Sequence, residues 1–173
     1  CESDQLKLEI NPGSAFGSGT HPTTQLCLQW LTRCPVEEKT VCDYGCGTGI
    51  LTLAALRLGA AHVFATDIEQ DALDATQING RLNSFNLGRD FDLSLVDEMA
   101  VGSIDVLLAN ILSVPLVELE PRFFDLLKPK GVCIVSGLRV EEIPKVRAAY
   151  ASRFIEQDYA IMGDWARLDF VRR

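Results

Sequence analysis

Only two histidines, His21 and His62, accompany the six cysteines of this chain, and no two cysteines form a C-x-x-C pair. No metal site is therefore spelled out in the usual ligand spacings. Cys42 and Cys46 are four apart, but one falls in a strand pattern and the other in the turn after it, so the cysteines read as free thiols packed as small hydrophobes in a reducing compartment. Cationic side chains are scarce as well. Sixteen Lys and Arg against 24 Asp and Glu leave a formal charge of −8, which argues against duplex DNA or structured RNA as the main partner. Apolar runs such as Val106-Leu107-Leu108-Ala109 fall far short of the roughly 20 residues of a membrane span, and no cationic, hydrophobic leader opens the chain. The expectation is a cytoplasmic protein with no membrane, metal or direct nucleic-acid partner. Because the first residue is Cys1 and not Met, the chain is expected to be an excised piece of a longer one.

What is present is a chain of 173 residues, 47% hydrophobic, enough for one domain with a substantial core. From residue 40 onward, short apolar runs alternate with helical patterns, the signature of a parallel sheet covered by helices. Strands are expected at 40–42, 62–66, 91–96, 104–109 and 132–135, and helices at 50–58, 69–83, 115–127 and 140–150. The rhythm changes at the end, where 154–161, the turn Gly163-Asp164 and 165–171 resemble a hairpin. The predicted fold is α/β: a Rossmann-like, doubly wound, mostly parallel seven-stranded sheet that finishes with an antiparallel hairpin strand. Residues 39–173 form the sheet core, and 1–38 supply a loop and helix ahead of it. Gly80, inside the second helix, should weaken that helix by about 1 kcal/mol relative to Ala.

Asp43-Tyr44-Gly45-Cys46-Gly47-Thr48-Gly49 follows the first strand and leads directly into a helix. Glycines at alternate positions let the backbone turn sharply and let a ligand lie against it. A dinucleotide fold usually carries G-x-G-x-x-G, whose last glycine brings a helix N-terminus to a pyrophosphate. Here the spacing is G-x-G-x-G, and Asp43 at the expected mouth would repel a pyrophosphate but suit an ammonium group. Asp67 falls 22 residues after Gly45, at the expected end of the next strand, where a carboxylate can accept both hydroxyls of a ribose; the plainer alternative is a helix cap. Together Asp43, Gly45, Gly47 and Asp67 favour a nucleoside with a cationic, amino-acid-like tail and no phosphates. S-adenosylmethionine is the common cofactor of that kind, and Ile68 is placed to pack on its adenine.

Asn11 to Thr24 is a loop rich in glycine and proline around one aromatic, Phe16. It is either a connector into a helix that starts near Pro22 or a lid over a small ligand, with Thr23 and Thr24 offering hydroxyls. Asn110 ends the apolar strand 104–109. In a doubly wound sheet that position faces the same crevice as Gly45 and Asp67, and an amide oxygen there can accept a hydrogen bond from an amine. The alternative is an Asn that merely starts a turn.

Four stretches carry a resemblance to a known family: 12–24 (Pro-Gly-Ser-Ala-Phe-Gly-Ser-Gly-Thr-His-Pro-Thr-Thr), Asp43 to Leu51, Thr66-Asp67-Ile68, and Ala109-Asn110-Ile111-Leu112. Weaker echoes are Ser136-Gly137-Leu138 and Gly163-Asp164-Trp165. The chain resembles the class I methyltransferases and, within them, the bacterial family that methylates a large-subunit ribosomal protein, the one numbered eleven. The resemblance implies that Thr24, Gly45, Asp67 and Asn110 contact S-adenosylmethionine and that the Phe16 loop closes over it. It also implies that methyl groups pass, repeatedly on one nitrogen, to lysine side-chain and N-terminal amines of a basic protein. Asn110 is the candidate catalytic residue, orienting the acceptor amine. Members of that family also carry an N-terminal recruiting domain, to which nothing in these residues corresponds. Pro129-Lys130-Gly131 stands where the family usually has Pro-Gly-Gly, and Gly80 where it often has Ala. Methylation of a small amine or another protein, and binding of the nucleoside without turnover, are the competing readings; an NAD-type oxidoreductase is more distant.

Overall fold

Each apolar run bounded by turn residues becomes a strand, and each helical pattern between them packs on the resulting sheet. In the computed structural model, which describes residues 7–11, 19–96 and 104–173, the order is α1 (Pro22–Arg33), β1 (Thr40–Tyr44), α2 (Ile50–Arg57), β2 (His62–Asp67), α3 (Gln70–Leu82), β3 (Phe91–Leu95), β4 (Ile104–Asn110), α4 (Ser113–Glu118), α5 (Glu120–Leu126), β5 (Leu127–Arg139), a 3-10 turn (Val140–Glu142), α6 (Ile143–Tyr150), β6 (Phe154–Met162) and β7 (Trp165–Arg172). The sheet order is β3-β2-β1-β4-β5-β7-β6. Pairings β1–β2, β1–β4, β2–β3 and β4–β5 are parallel, and β7 runs antiparallel to both of its neighbours. The expected fold class is therefore the observed one.

Alternation along the central strands sends side chains to two cores. Val41, Val63, Val106, Leu108 and Ile134 meet α1 and α2 on one face. Cys42, Leu107, Ala109, Cys133 and Val135 meet α4, α5 and α6 on the other. Each fully buried Leu, Ile or Phe in these layers contributes about 1.5–3 kcal/mol. The chain winds from β1 toward β3 on one side and from β4 toward β6 on the other, so the strand order reverses between β1 and β4. The crevice beyond the carboxyl ends of those two strands is where such sheets hold ligands.

Three elements depart most from the sequence expectation. The helix expected over 115–127 is two, broken at Leu119, because Pro121 sits at the start of α5 and its ring excludes a continuous helix through the preceding turn. Strand β5 begins at Leu127 and not at Val132, since Leu127 already pairs with Ile104 before the register shifts to Val132 opposite Val106. The helix expected from Val140 opens with a tighter 3-10 turn, and α6 proper starts at Ile143 with Pro144 in its first turn.

Gly80 reverses the simple propensity argument. A Cβ there would stand 2.6 Å from Phe91 Cζ, and Phe91 is fully buried. Propensity alone makes Gly80→Ala stabilising by about 1 kcal/mol, whereas overpacking against a core ring costs about 1–3 kcal/mol. The expected outcome in urea unfolding is a net loss of stability; a gain would show that Phe91 swings aside at little cost.

Candidate active site

The glycine turn takes its shape from backbone angles that only glycine adopts freely. Gly45, Gly47 and Gly49 have φ of +84°, +55° and +79°. The amides of Gly45 and Cys46 both donate to the Thr66 carbonyl, at 2.8 and 3.0 Å, which stitches the turn to the end of β2.

Asp43 does not face the crevice. Its Oδ2 accepts from Thr52 N at 2.9 Å and from Thr52 Oγ1 at 2.7 Å, and the residue is 1% exposed. The two donors in the first turn of α2 draw the carboxyl beneath the glycine turn, so the expectation of an acid at the mouth, set to meet an ammonium, is corrected. Burial raises its pKa from 3.8 to about 6; the hydrogen bonds from Thr52 oppose the rise and the charge of Asp67 adds to it. The sign follows: folded, the group keeps its proton to higher pH than when unfolded, so its favourable contribution is complete below about pH 4 and is lost as pH rises to 6. Relative to Asp43→Asn, the wild-type chain should lose about 2 kcal/mol of stability between pH 4 and pH 7. Urea melts of both proteins at the two pH values measure this, and a constant difference between them would refute it.

Asp67 is fixed from both sides. Oδ2 accepts from Gly47 N at 3.0 Å and Oδ1 from Glu69 N at 3.1 Å. The carboxylate thus steadies the entry to α3 and stands at the rim of a cavity of about 500 Å³, whose lining includes Tyr44, Gly45, Gly47, Asp67, Ile68 and Asn110. Each oxygen keeps a further lone pair for a hydroxyl donor. Ile68, 76% exposed, forms an apolar wall with Val96, Ile111, Leu112, Pro115 and Leu119, and Glu118 adds a second carboxylate to the lining.

Asn110 lies where this cavity meets a second one of about 250 Å³, lined by His21, Thr23, Asn110, Ile111, Leu112, Gly137 and Trp165. Its Nδ2 donates to Thr24 Oγ1 at 3.2 Å, while its Oδ1 is buried without a hydrogen-bond partner. A buried carbonyl left unpaired is costly; Asn110 lines both cavities, and rotation of its amide would bring Oδ1 to an N–H donor there. Thr24, 1% exposed, lines neither cavity; its hydroxyl orients Asn110. The Thr23 hydroxyl is 2.8 Å from His21 Nδ1. Phe16 lies outside the described residues.

The far wall was not read as a site from the sequence. His21 packs edge-on against Trp165 with ring centroids 4.9 Å apart, and the Arg139 guanidinium lies 5.0 Å from the centroid of the same indole. The available signals were the Gly137 and Trp165 echoes. Between the cavities, Ile111 is wedged by two glycines: a Cβ on Gly45 would meet Ile111 Cγ2 at 2.5 Å, and one on Gly137 would collide with the Ile111 carbonyl oxygen and stand 2.7 Å from its carbonyl carbon. Among the described residues no cluster of three His, Cys, Asp or Glu could hold a metal.

Comparison with known proteins bears on this geometry. The model of a family described as "Ribosomal protein L11 methyltransferase (PrmA)" matches residues 1–173. The chain is 42% identical over 172 residues to the ribosomal protein L11 methyltransferase of Alteromonas mediterranea, covering 99% of this chain and 58% of that protein. With its counterpart from Pseudomonas fluorescens it shares 44% identity over 172 residues, at 99% and 59% coverage. The crystal structure of the ribosomal protein L11 methylase from Lactobacillus delbrueckii subsp. bulgaricus superposes with a TM-score of 0.89 at 36% identity, over 98% of this chain and 87% of that one. The chain thus spans a little under three fifths of the curated relatives' length.

Proposed function

Since this chain belongs to the ribosomal protein L11 methyltransferase family, we propose that it transfers methyl groups from S-adenosylmethionine to amine nitrogens of a large-subunit ribosomal protein, its lysine side chains and N-terminal amine. The observation that carries this reading is that Asn110 lines both cavities and its amide oxygen has no hydrogen-bond partner. One cavity has the room and the chemistry for an adenosyl donor, and the other is a narrow, mostly apolar slot for an amine.

The residues fit the donor. The Asp67 carboxylate is held ready for two ribose hydroxyls, Ile68 offers an apolar face to the base, and the glycine turn admits the tail without Cβ atoms. When bound, S-adenosylmethionine supplies a methyl group on a positively charged sulfur. The protein's share of the work is alignment and exclusion of water. Asn110 Oδ1 accepts an N–H from the amine and so turns the nitrogen lone pair toward the larger cavity. The amine must be neutral to react. For a lysine with a reference pKa near 10.4 this costs about 4–5 kcal/mol at neutral pH, a cost lowered by an apolar slot that disfavours the ammonium form. His21 is the one imidazole among the described residues of the slot; with Nδ1 accepting from Thr23 N its neutral ring carries the proton on Nε2 and offers no free acceptor, so solvent takes the proton.

The net charge of −8 attracts a lysine-rich substrate and speeds encounter. The 173 residues act as a single catalytic domain in the cytoplasm, and no described helix is long and apolar enough to cross a membrane. Transfer of labelled methyl groups from S-adenosylmethionine to purified ribosomal protein L11, compared with a panel of small amines, tests the assignment. Label is expected on the protein and not on the amines. Label on the amines alone, or donor binding with no transfer to any acceptor, overturns it.

A further inference from the structure

The glycine turn is gripped from behind by a polar stripe on α3. Thr76, Asn79 and Asn83 stand at i, i+3 and i+7, one face of the helix and its last turn, and all three are buried. Thr76 Oγ1 has its proton shared between two acceptors of the turn, the Gly47 carbonyl at 3.1 Å and Cys46 Sγ at 3.3 Å, and its side chain fills the space a Cβ on Gly49 would need, with Cγ2 2.7 Å away. Asn79 Nδ2 donates to the Thr48 carbonyl at 2.9 Å. The same amide pairs both ways with the backbone of Asn11, accepting from its N at 2.8 Å and donating to its carbonyl at 3.0 Å. Asn83 repeats this two-way grip on Glu9, at 2.9 and 2.7 Å, but makes no bond to the turn.

We infer that Thr76 and Asn79 are positioning residues for the donor, acting through the carbonyls of Gly47 and Thr48 to select the one turn shape that admits it. Asn79 ties that shape to the backbone at residue 11. The inference rests on the larger cavity being the donor site. A turn with glycines at 45, 47 and 49 has unusual backbone freedom. Two consecutive carbonyls fixed to a helix remove much of that freedom before the ligand arrives. If the bound shape becomes a minor state, apparent affinity falls by the fraction of molecules that still hold it.

The chain and its Thr76→Val, Asn79→Ala and Asn83→Ala variants can be titrated calorimetrically with S-adenosylhomocysteine, and each unfolded in urea. Thr76→Val keeps side-chain volume and removes only the hydroxyl, so it remains informative should Asn79→Ala fold poorly. Thr76→Val and Asn79→Ala are expected to weaken binding by about tenfold. Asn83→Ala should stay within about twofold of wild type while losing stability comparably, because it releases Glu9 and leaves the turn alone. Unchanged affinity in Thr76→Val, or equal weakening in Asn83→Ala and Asn79→Ala, would reduce the stripe to a fold-stabilising role and overturn the inference. Failure of the wild-type chain itself to bind would instead overturn the donor-site reading, and this inference with it.

Discussion

Replacing Asn110 by alanine is expected to lower methyl-transfer turnover at least tenfold while donor binding stays measurable. Among the described residues the amide makes one hydrogen bond, donating to Thr24 Oγ1 at 3.2 Å, and its carbonyl oxygen accepts none. The substitution therefore deletes little of the folded structure's own bonding and removes the acceptor that would orient the amine. A tenfold loss corresponds to about 1.4 kcal/mol of transition-state stabilisation, the scale of one well-placed hydrogen bond. Because Asn110 also touches the larger cavity, donor affinity should fall by less than turnover. Steady-state kinetics with separate donor titration distinguishes the two effects; turnover equal to wild type would remove Asn110 from any role in transfer. Thr24→Val gives a graded companion, since it frees the amide to rotate without removing it.

Gly137→Ala should have the largest effect on folding. Gly137 has φ of +89°, which strains any residue with a side chain, and its Cβ would be forced into the backbone of Ile111. A backbone cannot swing away like a side-chain tip, so either β5 or the 110–112 segment must move. The combined conformational and steric cost is about 3 kcal/mol or more, to be read as a lower urea midpoint. In whatever folds, transfer should fall further than stability alone accounts for, since Asn110 shifts with Ile111. A stable and fully active variant would show that the turn relaxes locally.

The course of the chain was legible because its strands are short apolar runs and its helices are bounded by glycine, proline and other turn residues. Given that topology, the carboxyl ends of β1, β2 and β4 converge, which is why Gly45, Gly47, Asp67, Ile68 and Asn110 could be grouped from sequence and do surround one cavity. Asp43 could not be placed from the sequence: its burial depends on the two donors of Thr52, nine residues on, and an acid beside a glycine turn gives no sign of which way it points. Thr24 is placed by a pairing across 86 residues, its hydroxyl accepting from Asn110, which no local pattern marks. Trp165 reaches the slot only because β7 inserts between β5 and β6, a long-range choice with no local mark. The break at Leu119 was within reach, since Pro121 stands inside the proposed helix. The Thr76, Asn79 and Asn83 stripe was visible as polar residues at helical spacing, but only burial distinguishes it from a solvated face.

The wedge at Ile111 ties the evolution of three positions together. Gly45 is kept small by the side chain of Ile111 and Gly137 by its main chain, so the two glycines answer to different features of one neighbour. Trimming Ile111 to alanine should partly rescue Gly45→Ala and do nothing for Gly137→Ala, a non-additivity confined to one of the two pairs. Both positions hold positive φ and so disfavour any side chain; a smaller residue at 111 lifts only the steric part of the cost at 45 and none of it at 137.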